Sequence, residues 1–196
     1  MFYNLKTKAR SQRGAMFGLD ARIALAIFAG LSIIAGMAVV STVRKTDVTS
    51  LTSEFDNISK GYLNFAFDTG VDIPVASSGD GQGGFTNLYS DADSTLNWKG
   101  PYITRSSFKH PKYGNYSLIL ASIDASWDPT SPASTGSIPG VWLDLSSVPC
   151  EIAGNLDTQI DGTASGSAGN LRYDDTCSPG DNVIVAYLLS RTVPTD

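Results

Sequence analysis

Between Ile23 and Val40 the chain runs for eighteen residues without a charge, mostly Ile, Ala, Val and Leu. At about 1.5 Å of rise per residue, such a run is close to the ~20 residues a helix needs to cross a hydrocarbon core. A helix that is apolar on every side must be covered by lipid or by other helices. The flanks of the run are equally informative. Residues 1–15 carry Lys6, Lys8, Arg10 and Arg13 and no acid, and Asp20 and Arg22 stand just before the run. A basic leader stays on the cytoplasmic side, which places everything after Val40 across the membrane; Arg44 and Lys45 at the outer end pull weakly the other way.

The chain has 196 residues, enough for one membrane helix and one modest soluble domain. Its net charge is −5, unevenly placed. Taking the four leader cations from the 14 basic residues leaves 10 against 19 acidic ones. An acidic outer domain argues against direct nucleic-acid binding, which needs a positive surface. The two cysteines, Cys150 and Cys177, read as one disulfide in a domain outside the membrane, with two buried free thiols as the alternative. They do not read as a metal site. The single histidine is His110, and neither cysteine has another within ligand spacing.

Beyond Val40 the apolar residues thin out but keep a helical period. Val48, Leu51, Phe55, Ile58, Tyr62 and Phe65 recur at steps of three and four, with Asp47, Glu54, Asp56 and Lys60 between them. One continuous helix is therefore expected from about Leu19 to about Phe67, ending at Asp68-Thr69-Gly70. Its second half is a one-faced stripe that needs a cover. Residues 71–100 read as loops, including the Gly/Ser-rich segment Ser77–Gly84 and an acidic turn, Asp91–Thr95. That turn lacks the glycine and glutamate of a calcium loop. Strands are expected at Tyr116–Trp127, at Val141–Leu145 and at Val183–Leu189, the last one central in an antiparallel sheet. Ser146–Gly162 reads as a helix capped by Ser147, with Pro149 in its first turn.

Read together, these features resemble the type IV pilins and pseudopilins. The resemblance rests on the basic leader, the opening Met16-Phe17-Gly18-Leu19-Asp20-Ala21-Arg22-Ile23 and the apolar helix. It extends to Trp98–Ile103, where many pilin heads enter their sheet, and to the stretch from Val148 to Leu189 that contains both cysteines. It implies an α+β fold, with a long N-terminal helix packed on a small antiparallel sheet and one C-terminal disulfide loop. The implied organisation is a leader at 1–15, a helical spine at 16–67 whose residues 23–40 span the membrane, and a head at 68–196.

A prepilin peptidase would cut between Ala15 and Met16, making Asp20 fifth in the mature chain; a cut after Gly14 is the alternative. Ala stands where the family usually has Gly, and Asp where it usually has Glu. Arg22 is unusual for the family, and the helix lacks the proline that many pilins carry. Asp20 would act in assembly, pairing with the amine freed on a neighbouring copy. The resemblance further implies an inner-membrane location in a bacterium, with the head outside the cytoplasm, before passage into a pilus or pseudopilus. The partners would be other copies, related pilins, the peptidase and an inner-membrane assembly platform. No cofactor is expected; the resemblance leaves a calcium ion in the head open without naming residues for it.

Enzyme motifs are lacking in the sequence. There is no Gly-x-Ser-x-Gly elbow, no His-Glu-x-x-His pair and no nucleotide fingerprint. His110 reads as a surface-turn residue, Asp157 and Asp161 as solvated acids on one helix face, and Asp174-Asp175 as a turn. The competing function is a membrane-anchored extracytoplasmic binding domain that does not polymerise.

Overall fold

The computed structural model describes residues 13–71, 73, 82–127, 129–130 and 138–191. The chain divides into two compact units with the boundary between Lys45 and Thr46. That boundary falls inside helix α1, Arg13–Thr69. The helix begins before the expected Leu19, so the Ala15–Met16 bond lies in helical backbone; leader residues 1–12 are outside the described set. In the first unit, Leu19 to Lys45 is helical and exposed throughout, and its length and composition suit a membrane span.

In the second unit the stripe on α1 finds its cover. Val48, Leu51, Phe55, Ile58, Tyr62 and Phe65 are all buried, as their spacing predicts. Phe55 stacks on Tyr187 with ring centres 5.2 Å apart, and Phe65 meets Tyr102 edge-on at 5.6 Å. Each fully buried side chain of this size contributes about 1.5–3 kcal/mol, so packing outweighs helix propensity. The helix stops at Thr69, where Gly70 takes a left-handed φ of 71° and donates its N–H to Ala66 O at 2.9 Å.

Five antiparallel strands form the cover: β1 (Lys109–His110), β2 (Gly114–Ser122), β3 (Pro139–Pro149), β4 (Leu171–Tyr173) and β5 (Asn182–Arg191). Their order is β1-β2-β3-β5-β4, so β5 is an interior strand, as expected. Tyr116 pairs with Leu145 and Leu118 with Leu143, and Leu145 in turn pairs with Val185. These residues join the α1 stripe in one core. Successive side chains alternate between faces, so Trp142 belongs to a second cluster with Ala121, Ala186 and Trp127. The sheet is therefore buried on both faces along the middle of β3.

Several local expectations are corrected. Part of the Gly/Ser-rich segment forms a short helix, α2 (Gln82–Thr86), because Phe85 and the following Leu88 are pulled fully into the core; residues 77–81 of that segment lie outside the described set, as do 128 and 131–137 of the loop before β3. Trp98–Ile103 runs as coil and bend ahead of the sheet, in keeping with an entry segment; its Gly100–Pro101 bond is cis, and Ile103 packs against α1 at Gly61. The strand expected at Tyr116–Trp127 ends at Ser122, where its pairing with Pro139 stops, and the one at Val141–Leu145 continues to Pro149, since Val148 and Pro149 still pair with Val183 and Asn182. Helix α3 is consequently Cys150–Asp161, and Ser147 does not cap it. Ser147 instead donates its N–H to Tyr113 O at 3.0 Å, and Pro149 occupies the cap position.

Cys150 opens α3 and is bonded to Cys177, 27 residues on, with Cα atoms 6.0 Å apart. A Cβ added at Gly61 would meet Ile103 Cγ2 at 2.5 Å and the backbone oxygen of Tyr102 at 3.0 Å. Gly61→Ala should therefore lower stability by about 1–3 kcal/mol, and replacing both cysteines with Ser by about 3–4 kcal/mol. Urea unfolding of the full chain in detergent, followed by Trp fluorescence, measures both. An unchanged Gly61→Ala midpoint would mean that the close α1–Ile103 contact is absent in solution.

Candidate functional site

The first unit presents an apolar helix with two charges at its start. Asp20 and Arg22 are exposed, and neither has a hydrogen-bond or ion-pair partner among the described residues. Two hydroxyls on this stretch are satisfied within the helix, Ser32 donating to Phe28 O at 2.8 Å and Thr42 to Ala38 O at 2.9 Å. That leaves no hydroxyl of these two residues demanding water inside a bilayer. Gly30 and Gly36 face open space, so a neighbouring backbone could approach closely there. Gly14, Ala15 and Met16 lie in the first turns of α1, and their side chains are outside the described set.

In the second unit, a polar seam joins α1 to β1 and β2. Glu54 pairs with Arg105, and His110 Nε2 lies 3.5 Å from the other Glu54 oxygen. His110 Nδ1 accepts the N–H of Lys112 at 3.0 Å and of Tyr113 at 2.9 Å. The side chain of His110 is only 10% exposed and stacks on Tyr113, so it is not the surface residue its sequence context predicts. Burial alone would raise the Glu54 carboxyl, but the neighbouring His110, Tyr116 and Arg105 together outweigh it and hold the group below its usual value. One turn pair earlier, Asp47 takes the Lys112 ammonium at 2.5 Å. These contacts orient a histidine and a carboxylate, and they fasten α1 to β1 and β2.

The disulfide loop holds the remaining buried acids. Asp157 is fully covered, contrary to the solvated role its helical spacing implies. The loop after α3 folds back over it, and Ser165 N–H donates to its Oδ2 at 2.5 Å while its Oδ1 has no partner. Burial, with Asp161 and Asp175 nearby, pushes its carboxyl up to about 6. Asp161 accepts the N–H groups of Asn170 and Leu171 at 2.9 and 2.8 Å and pins the entry to β4. Asp174 takes the Thr176 N–H and hydroxyl, and lies low for that reason. In the acidic turn, Asp91 accepts Thr95 N–H at 2.7 Å and Asp93 accepts the Asn87 amide at 2.6 Å. Among the described residues no group of three His, Cys, Asp or Glu is arranged to hold a metal.

Two buried charged residues on the outer face of the sheet escape sequence reasoning. Arg172 is 2% exposed. Its guanidinium donates to Ala125 O and Ile123 O at 2.6 and 2.8 Å and lies 4.8 Å from the ring centres of both Trp127 and Trp142. It clips the segment after β2 onto β4 through carbonyls and π faces. Asp144, in the middle of β3, is buried with one oxygen unpartnered, and burial raises its carboxyl well above the usual range.

The raised carboxyls set a pH dependence with a definite sign. A folded-state value above the unfolded ~3.9 means stability that is fully present below about pH 4 and lost as pH rises through the folded value, about 6 for Asp157. Asp157→Asn keeps an acceptor for Ser165 and removes the charge. The variant should unfold at higher urea than the parent at pH 8, with the gap closing by pH 4. Equal midpoints at pH 8 would mean that burial and the neighbouring acids impose no cost on the ionised Asp157.

No family model, curated protein or solved structure matches this chain.

Proposed function

We propose that this chain is a structural subunit of a type IV pilus-like or pseudopilus filament, processed by a prepilin peptidase and assembled through its N-terminal helix. The observation that carries the reading is the change of character along α1. An exposed apolar membrane-length stretch headed by Asp20 becomes, within the same helix, a stripe buried under an antiparallel sheet. The C-terminal disulfide and the interior β5 support the same reading. A lone anchor has no need of a carboxylate at its start, where an unpaired charge costs several kcal/mol in hydrocarbon. An amine freed at Met16 of a neighbouring copy would neutralise it and set the axial offset between helices. The basic leader would keep that end cytoplasmic until cleavage. The head would act through its surface, not by catalysis, in contact with other subunits.

Intact mass and amino-terminal sequencing of the protein from native membranes test the processing step. The expected chain starts at Met16; a chain still starting at Met1 would replace the filament reading with an anchored binding domain. Asp20→Ala should leave the head folded and reduce assembled material at least tenfold, read by sedimentation of sheared filaments. Normal assembly of that variant would end the pairing model.

A further inference from the structure

Asp20 and Arg22 are the sole charged residues from Gly18 to Val43. They stand two positions apart on α1. At 3.6 residues per turn their side chains leave the helix roughly 200° apart, with about 3 Å of rise between them. Residues at that spacing do not face each other, so the two charges cannot close a pair within one chain. Both are exposed, and neither has a polar partner among the described residues. At the edge of a bilayer, headgroups and water can serve them. Once such helices pack on one another, each charge needs a protein partner.

We infer that the partner is a second copy of this chain, with Asp20 of one copy bound by Arg22 of the next. The inference rests on the filament reading and deepens it: the amine freed at Met16 of a different neighbour is then the second of two cations on the same carboxylate, since Met16 and Arg22 of one copy lie about 9 Å apart along the helix. A carboxylate offers two oxygens with about four acceptor sites, room for both. The guanidinium fits it with two parallel N–H donors, which an amine cannot do.

The placement of the charges also selects the symmetry. Two parallel helices related by a two-fold axis cannot bring opposite faces of both copies together, so they cannot make the pair twice. Opposite charges on opposite faces instead make a head-to-tail contact, each copy giving Asp20 on one side and Arg22 on the other. Such a contact repeats into a ring or an open helical array. Levelling the two groups shifts each neighbour by about two residues, or ~3 Å, along the helix axis.

The test uses the full-length chain in membranes. One tagged copy carries Ala24→Cys, one turn on from Asp20, and a differently tagged copy carries Ala26→Cys, one turn on from Arg22, so that both charges are kept; after mild oxidation, disulfides between the two tags are compared with those within each tag. The expected result is a large excess of 24–26 links. A yield of 24–24 or 26–26 links equal to or above it would overturn the head-to-tail pair. In parallel, Arg22→Gln should lower the assembled fraction at least tenfold with the melting temperature of the head unchanged, and Arg22→Lys should recover part of it. If Arg22→Gln assembles like the parent while Asp20→Ala does not, the arginine pair is wrong and the filament reading stands. If both variants assemble normally, both fall.

Discussion

The head depends on six apolar side chains, Val48 to Phe65, that turn one side of α1 into the centre of the core. Around this row the antiparallel sheet supplies Tyr116, Leu118, Leu143, Leu145 and Val185, and the coil before β1 supplies Ile103. The requirement is mutual: the stripe needs a cover, and strands with apolar residues on that face need something to lie on. Gly61 shows how close the fit is, because α1 meets the Tyr102–Ile103 backbone where any side chain would intrude. The cis Gly100–Pro101 bond lies just before that contact.

Polar contacts settle orientation where apolar packing is indifferent to it. A stripe of hydrophobic residues tolerates small rotations and slides of a helix on a sheet. Glu54 with Arg105 and His110, and Asp47 with Lys112, fix α1 against β1 and β2 at two points. On the far side, Arg172 holds the segment after β2 down through two carbonyls and two indole faces. The head thus has an apolar centre and polar fasteners on both sides of it.

Much of this fold is legible in the sequence, for identifiable reasons. The stripe from Val48 to Phe65 announces itself because period 3.6 survives wherever one face is buried. The interior strand β5 and the disulfide follow from a run of Val, Ile and Leu and from two cysteines in a domain that the basic leader and apolar run lead one to expect outside the membrane. The misreadings share one cause. Asp157 and His110 are titratable side chains that composition places at the surface, and Arg172 carries no local signal of its role, yet each is covered by partners that its local sequence does not name. Ser165 lies eight residues from Asp157, Glu54 lies on another element from His110, and Ala125 is 47 residues from Arg172. Ser147 is a good cap residue by type, but the β3–β5 ladder runs past it, and pairing overrides capping. At the start of α1, the partners inferred for Asp20 and Arg22 belong to another copy, and a single chain does not name them.

The Cys150–Cys177 bond has a mechanical consequence. The bonded residues flank α3 and β4, and β5 begins five residues after the second of them. If the two ends of the head were drawn apart, the segment between the cysteines, which stand 27 positions apart, could not pay out. Fully extended it would span roughly 90 Å, against the 6.0 Å between the bonded Cα atoms. Traction along the chain therefore passes through the covalent shortcut from the end of β3 to the approach of β5, bypassing the acidic loop. A head built this way yields only a shortened tether under load while the bond is intact.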